Sequence, residues 1–254
     1  MAVSNVRNGL DPWRLLRYGD AEQGLALLRE SHARQRSSSH IMELGVAYLW
    51  TEDYASASAH FESAIKDFPG HATSFYGMAG VSQWCLGQPS AAVADWRVGL
   101  TAQYADTSGL GIRLPLLLFV ACILEPKAFR RSEAEGILQE KVKDGRARPW
   151  RGMLARFALG LADKEDCLAL EPLTKDFERQ HREWMVRFYQ YLLLFGNGDL
   201  TPAQFFELMR RATDTSQPEF FDQNYFLSLM WSEEFFIARR QVQSACGGWP
   251  RSPE

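Results

Sequence analysis

The 254-residue chain has only four cysteines, Cys85, Cys122, Cys167 and Cys246, and no two of them form a CxxC pair. That spacing excludes the usual zinc-ribbon and thioredoxin-type sites, and a disulfide framework is not expected in a chain this long. Histidine is scarce as well. His32, His40, His60, His71 and His181 never fall three or four residues apart, so no helical face offers two imidazoles at ligand spacing, and no metal or other cofactor is expected. Neither sign of charge dominates: 28 Lys and Arg face 31 Asp and Glu, for a formal net charge of −3. A general nucleic-acid or anionic-membrane binder needs a basic face, which this balance argues against. The longest apolar run, Leu114 to Leu124, covers eleven residues. It is too short to span a bilayer and reads as a buried helix, so no membrane insertion is expected. No apolar leader precedes Pro12, and the expectation is a cytoplasmic chain. Gly and Pro are too few for a collagen-like or low-complexity chain. No alternating run is long enough for a strand, which leaves an all-α fold.

What the sequence does hold is a repeat. Residues 41–69 contain Leu44-Gly45, Tyr48, Asp53-Tyr54, Ala57, Phe61, Ala64-Ile65 and Pro69. Small residues stand where two helices must touch, and large ones fill the space beside them. The pattern returns 35 residues later as Ala79-Gly80, Leu86-Gly87, Ala92, Trp96 and Gly99-Leu100. A half-copy lies 33 residues earlier, with Gly19-Asp20, Gly24, Leu28 and Ser31, opened by Asp11-Pro12 as a cap followed by proline at the first helical position. These residues resemble the tetratricopeptide repeat (TPR) family. The resemblance implies a short right-handed α-solenoid of helical hairpins, in which each hairpin buries its apolar face against its neighbours.

After Tyr104 the period breaks in a Gly-rich loop, 105–112. Helical spacing then predicts helices at 115–124, 128–142, 150–161 (with Trp150, Met153, Leu154, Phe157 and Leu161 on one face), 164–170, 174–195 and 202–213. One or two closing helices are expected over 220–240. Gly198-Asp199 followed by Ala203 echoes Asp53 followed by Ala57, so 184–213 reads as a worn hairpin. The domain reading is therefore 1–104 for the TPR-like hairpins and 105–243 for a degenerate helical region packed on them as one structural unit. Residues 244–254 are read as a flexible tail.

The order of the later features is similar to that of the bacterial new lipoprotein I adaptor family. They are Leu116-Leu117-Leu118, the block Trp150…Ala155-Arg156-Phe157-Ala158-Leu159-Gly160, Lys164-Glu165-Asp166, then Phe188-Tyr189-Gln190-Tyr191, Gly198-Asp199 and Ala203. With no signal peptide and no lipobox cysteine near the start, the likeness implies the architecture and a general adaptor role, without the membrane anchor or the cell-wall partners.

Catalytic motifs are fragments. Ser63-Ala64-Ile65-Lys66 fits S-x-x-K, but its S-D-N and K-T-G companions are missing, and Ala64-Ile65 already fill repeat contact positions. Gly80-Val81-Ser82 lacks the closing glycine of a nucleophile elbow, and Gly109-Leu110-Gly111 lacks the third glycine of a dinucleotide loop. The expectation is a protein that is not an enzyme and binds through its surface.

In TPR register the first helix of each hairpin lines the concave side. That places Met42, Val46, Leu49 and Trp50 in the groove from one hairpin, and Gly77, Val81, Trp84 and Cys85 from the next. A carboxylate-clamping groove would offer Lys, Arg and Asn there, so this apolar set points to a protein partner with an apolar segment. The competing reading has the chain's own C-terminal helices filling the groove and burying both tryptophans. The adaptor role has a rival in a bacterial immunity protein that neutralises a toxin, and a remote one in a serine hydrolase using Ser63 and Lys66. The pairs Phe220-Phe221, Tyr225-Phe226 and Phe235-Phe236, with Trp231, straddle their helices, so one ring of each should face outward, toward a covering neighbour or a partner such as a second copy. Lys127, Arg130 and Arg131 read as one basic corner, and Arg146, Arg148 and Arg151 as another. The 35-residue period is also that of RNA-reading helical repeats, but the polar readers and basic groove are missing, and no nucleic acid is expected.

Overall fold

A computed structural model of the chain describes residues 11–102, 111–143, 150–170, 175–214, 223–230 and 232–246. Among these the fold is all α, apart from a short 3-10 turn at Pro69–His71. None of the described helices is long and apolar enough to cross a membrane. Residues divide into two compact units, Met1–Ala105 and Asp106–Glu254. The expected features at 105–110, Arg146, Arg148, Phe220, Phe221, Trp231 and 247–254 lie outside the described residues.

The first unit contains α1 (Pro12–Tyr18), α2 (Ala21–Arg34), α3 (Ser38–Trp50), α4 (Tyr54–Asp67), α5 (Ala72–Cys85) and α6 (Pro89–Gly99). Each helix packs on the next in sequence, and α3 also touches α5. Local chemistry fixes the helix starts. Asp11, Asp20 and Asp53 accept hydrogen bonds from the backbone N–H groups of Trp13, Gln23 and Ser56 at 2.9, 3.0 and 3.1 Å. The ends are equally regular. α3 and α5 both stop in Schellman turns, with Glu52 (φ 64°) and Gly87 (φ 78°) left-handed. In those turns Asp53 N–H donates to Tyr48 O at 2.9 Å and Gln88 N–H to Gln83 O at 3.0 Å.

Between the paired helices lies one contact, made twice. A Cβ on Gly45 would stand 2.2 Å from Phe61 Cζ, and one on Gly80 would stand 2.2 Å from Trp96 Nε1. The two pairs share a 16-residue offset and lie 35 residues apart. Ala57 and Ala92 are fully buried beside them. In the first hairpin the close approach is reversed: the glycine, Gly24, sits on the second helix, and a Cβ there would meet Pro12 O at 2.8 Å.

The second unit contains α7 (Arg113–Leu124), α8 (Arg131–Lys143), α9 (Trp150–Ala158), α10 (Lys164–Ala169), α11 (Asp176–Gly196), α12 (Pro202–Thr213), α13 (Gln223–Met230) and α14 (Glu233–Cys246). The apolar run forms α7, buried from Leu114 to Ile123. The long α11 touches α7, α9, α10, α12 and α13.

Three expectations change here. α9 stops at Ala158, because Gly160 takes a left-handed φ of 69° and closes a Schellman turn, so Leu161 leaves the apolar face and is 59% exposed. The turn from α11 to α12 has the left-handed Gly198, but three residues separate it from Pro202, which opens the next helix, where one residue separates Gly87 from Pro89. That insertion rotates Ala203 to the surface, and Phe205 faces inward instead, stacked on Phe195 with ring centroids 4.5 Å apart. Finally, Tyr225, Phe226, Phe235 and Phe236 are all buried, so neither pair turns a ring outward.

The nesting contact has no spare room. Gly45→Ala should lower stability by about 1–3 kcal/mol despite alanine's better helix propensity, because the methyl group overpacks against a ring. Adding Phe61→Leu should recover part of the loss, as read from urea denaturation of the full chain.

Candidate functional site

The expected groove set divides into buried and accessible members. Val46 and Val81 are 0% exposed, Leu49 1% and Trp84 4%, whereas Met42 and Trp50 are half-buried. Trp84 stacks on Trp96 with centroids 5.9 Å apart, and Trp96 Nε1 donates to Gly77 O at 3.0 Å. Trp84 thus serves the packing of α5 on α6. Gly77 and Cys85 are buried with it. Trp50 reaches back across the hairpins, its indole N–H donating to Leu16 O at 3.0 Å. Met42 and Trp50 are the members of the set that solvent, and hence a partner, can reach.

The polar residues singled out for chemistry are dispersed or inert. Ser63 Oγ lies on the exposed side of α4 and donates to Asp67 at 3.4 Å rather than to Lys66. Burial pushes the thiols of Cys122 and Cys167 up to about 12, which suppresses the thiolate needed for nucleophilic attack. The fold brings two of the histidines together although the sequence disperses them. His32 of α2 and His60 of α4 meet edge to face with ring centroids 5.2 Å apart, and His60 Nε2 lies 3.0 Å from Ile41 O. Burial lowers both pKa values, with the Arg36 guanidinium adding to the effect at each. Among the described residues no group of three or more His, Cys, Asp or Glu is placed to hold a metal ion.

The second unit contains a constellation that sequence reasoning missed. Glu233 and Glu234 open α14 at 1% and 0% exposure. Glu233 pairs with Arg113 of α7, and Glu234 lies 3.7 Å from Arg151 Nη1 of α9. Tyr189 of α11 donates to Glu234 Oε1 at 3.2 Å, and Ser232 Oγ donates to Oε2 at 3.0 Å. Two guanidinium groups therefore balance two carboxylates, and the cluster ties together four helices distant in sequence. The sequence groups Arg151 with Arg146 and Arg148 in a basic corner, but its guanidinium faces the interior and Glu234. Burial, then the Glu234 carboxylate, holds the Tyr189 phenol well above its usual range, so it stays a neutral donor. His181 of α11 is half-buried but its Nε2 is enclosed without a hydrogen-bond partner among the described residues. Burial, with Arg151 adding and Glu233 opposing, lowers its pKa to about 3. The signal for it in the sequence is the acidic pair Glu233-Glu234, set directly before the apolar run Phe235-Phe236-Ile237.

No family model matches the chain, and no curated protein or solved structure matches it either.

Desolvating each ion costs several kcal/mol, so the cluster holds only while both signs are present. Glu234→Ala, which strands Arg151 and Tyr189, should destabilise the fold by about 3–5 kcal/mol in denaturant titrations, more than Glu234→Gln. Acid has a predictable sign. Because His32, His60 and His181 favour the neutral ring when folded, the unfolded chain binds more protons below about pH 6.5, and stability falls from there down to pH 5. Asp95 opposes this. Burial, then Glu62, raises its pKa to about 6, so its contribution is present at low pH and is lost as pH rises through that value. Asp95→Asn should therefore steepen the loss of melting temperature between pH 6.5 and 5, and His181→Gln should flatten it.

Proposed function

We propose that this chain is a non-enzymatic adaptor that binds another protein, built on a short right-handed solenoid of TPR-like hairpins over residues 12–99. The observation that carries the reading is the contact made twice, Gly45 against Phe61 and Gly80 against Trp96, at one offset and one period. One contact repeated at a fixed step is what a translated hairpin leaves behind. The neighbour-to-neighbour packing of α1 through α6 supports the same arrangement.

Mechanism follows from rigidity. Helices buttressed by fully buried rings lose little further freedom on docking, so more of the contact energy is expressed as affinity. The buried Val46, Leu49, Val81 and Trp84 set the shape of the face, while Met42 and Trp50 contact the partner. The apolar and aromatic character of these residues suits an apolar segment of a protein rather than a peptide carboxylate. A catalytic role gains no support from Ser63, which bonds Asp67, or from the buried thiols.

Capture from native extract, followed by mass spectrometry, tests this. Met42→Arg should lose the partner that the wild-type chain retains, with far-UV circular dichroism unchanged. Trp84→Ala should instead lower stability by about 3–5 kcal/mol, because a buried, stacked ring is removed. Equal capture by wild type and Met42→Arg would overturn this face as the binding surface. One tight, exclusive partner would favour toxin neutralisation over an adaptor with several.

A further inference from the structure

The second unit contains a cleft of about 300 Å³, lined in part by Arg131, Glu135, Phe157, Gly160, Leu193 and Asn197. The volume suits a single long side chain or a small ligand. Two helices end at this cleft. α9 finishes in the Schellman turn at Gly160, and α11 in that at Gly198. Those turns occupy the carbonyls of Arg156 and Phe157 in α9 and of Leu194 and Phe195 in α11. A helix C-terminus carries about half a negative charge, so two of them at one cleft favour a cation.

The chain supplies a partial answer of its own. Arg131 Nε donates to Glu135 at 2.8 Å, and its Nη1 lies 3.4 Å from Gly196 O. A guanidinium group is thus already drawn to the end of α11. Glu135 shares that guanidinium, so Arg131 offsets the end of α11 only in part. Phe157 and Leu193, both half-buried, offer apolar surface for an aliphatic stem.

The surface beside the cleft says what carries that cation. Leu161 follows cleft-lining Gly160 directly and is 59% exposed, and Leu168 of α10 is 45% exposed. They are the large exposed hydrophobic residues of this unit among the described residues. Between them in sequence lie the acidic Asp163, Glu165 and Asp166 and the basic Lys164, with Asp163 and Asp166 capping the start of α10. A free amine would fill the cleft and leave both leucines in water. A longer segment covers them.

We propose that the cleft and the adjoining turn from α9 to α10 dock a basic amphipathic segment of a protein partner, with one lysine or arginine side chain in the cleft and apolar residues over Leu161 and Leu168. This rests on the protein-binding reading but uses a face separate from Met42 and Trp50.

The test is a titration of the full chain with three probes: an amphipathic Lys/Leu 14-residue peptide, its Glu/Leu counterpart, and n-butylguanidinium. Fluorescence anisotropy reads the peptides, and amide NMR shifts at Gly160 and Asn197 read the cleft. The Lys/Leu peptide should bind, shift both amides and outcompete n-butylguanidinium at least tenfold, while the Glu/Leu peptide should not bind. Glu135→Gln and Leu161→Ser, both at accessible side chains, should each weaken the Lys/Leu peptide about fivefold with circular dichroism unchanged. No binding, unaltered affinity in both variants, or preference for the Glu/Leu peptide would overturn the proposal. Binding of n-butylguanidinium as tight as that of the peptide would overturn the protein source and leave a small-amine site. Loss of this result with Met42-dependent capture intact refutes the cleft alone; loss of capture as well refutes the protein-binding reading.

Discussion

Gly45 has no space for even a methyl group, and the same holds for Gly80. Helix axes usually lie 8–10 Å apart, with the distance set by the side chains at the crossing. A glycine at the crossing lets an aromatic ring lie directly against the facing backbone. Phe61 and Trp96 fill that space from the partner helix, and Ala57 and Ala92 keep the neighbouring turn equally close. Because both contacts have the same offset, the two hairpins close to similar spacings. The left-handed residues at Glu52 and Gly87 then fix how sharply each hairpin turns. Everything proposed for the face around Met42 depends on this repeated closure, since a loosely packed pair would hold no surface in advance of a partner.

The second unit is organised on different physics. Its inner α14 follows Ser232 and begins with Glu233 and Glu234, all three buried, followed at once by Phe235, Phe236, Ile237 and Ala238. Apolar side chains alone would let such a helix slide or rotate at modest cost, because one aliphatic contact resembles another. Charges do not allow it. Moving α14 by one residue would take Glu233 from Arg113 and Glu234 from Arg151 and Tyr189 together. The attraction within the pairs is largely offset by the desolvation of four ions, so the cluster contributes little net stability. Its effect is on register: it selects which ends of α7, α9, α11 and α14 meet. Polar specificity in this unit thus plays the part that glycine spacing plays in the first.

The hairpins of the first unit were legible because their signal is local and periodic: Asp53, Ala57, Phe61 and Gly45 lie within one 30-residue span. What remained hidden depends on which surfaces close. Trp84 has the same helical phase as an open-groove residue, and only its stacking on Trp96 shows that it is enclosed. Arg151 follows two arginines in sequence and was grouped with them, yet its partner Glu234 is 83 positions away. The histidines show no ligand spacing along the chain, but α2 and α4 bring His32 and His60 into contact. Leu161 matches the phase of the α9 face, which is why periodicity places it there. The left-handed Gly160 ended the helix first, a turn signal that outweighed periodicity.

That misplaced leucine bears on how the second face would select a partner. The whole chain carries only −3, and at physiological ionic strength fields fade over about 8 Å, so long-range attraction of a basic protein is weak. Asp163, Glu165 and Asp166 act at short range, where they favour one orientation of an approaching basic segment and disfavour an acidic one. Affinity has to come from area removed from water, and an exposed leucine offers on the order of 2 kcal/mol when fully covered. Leu161 and Leu168 are therefore the anchors, and the charges around them are the filter. A mainly electrostatic partner would be lost at moderate salt, whereas one seated on both leucines would remain bound. The termination of α9 one turn early, by exposing Leu161 at the cleft edge, is what turns an acidic surface into a selective one.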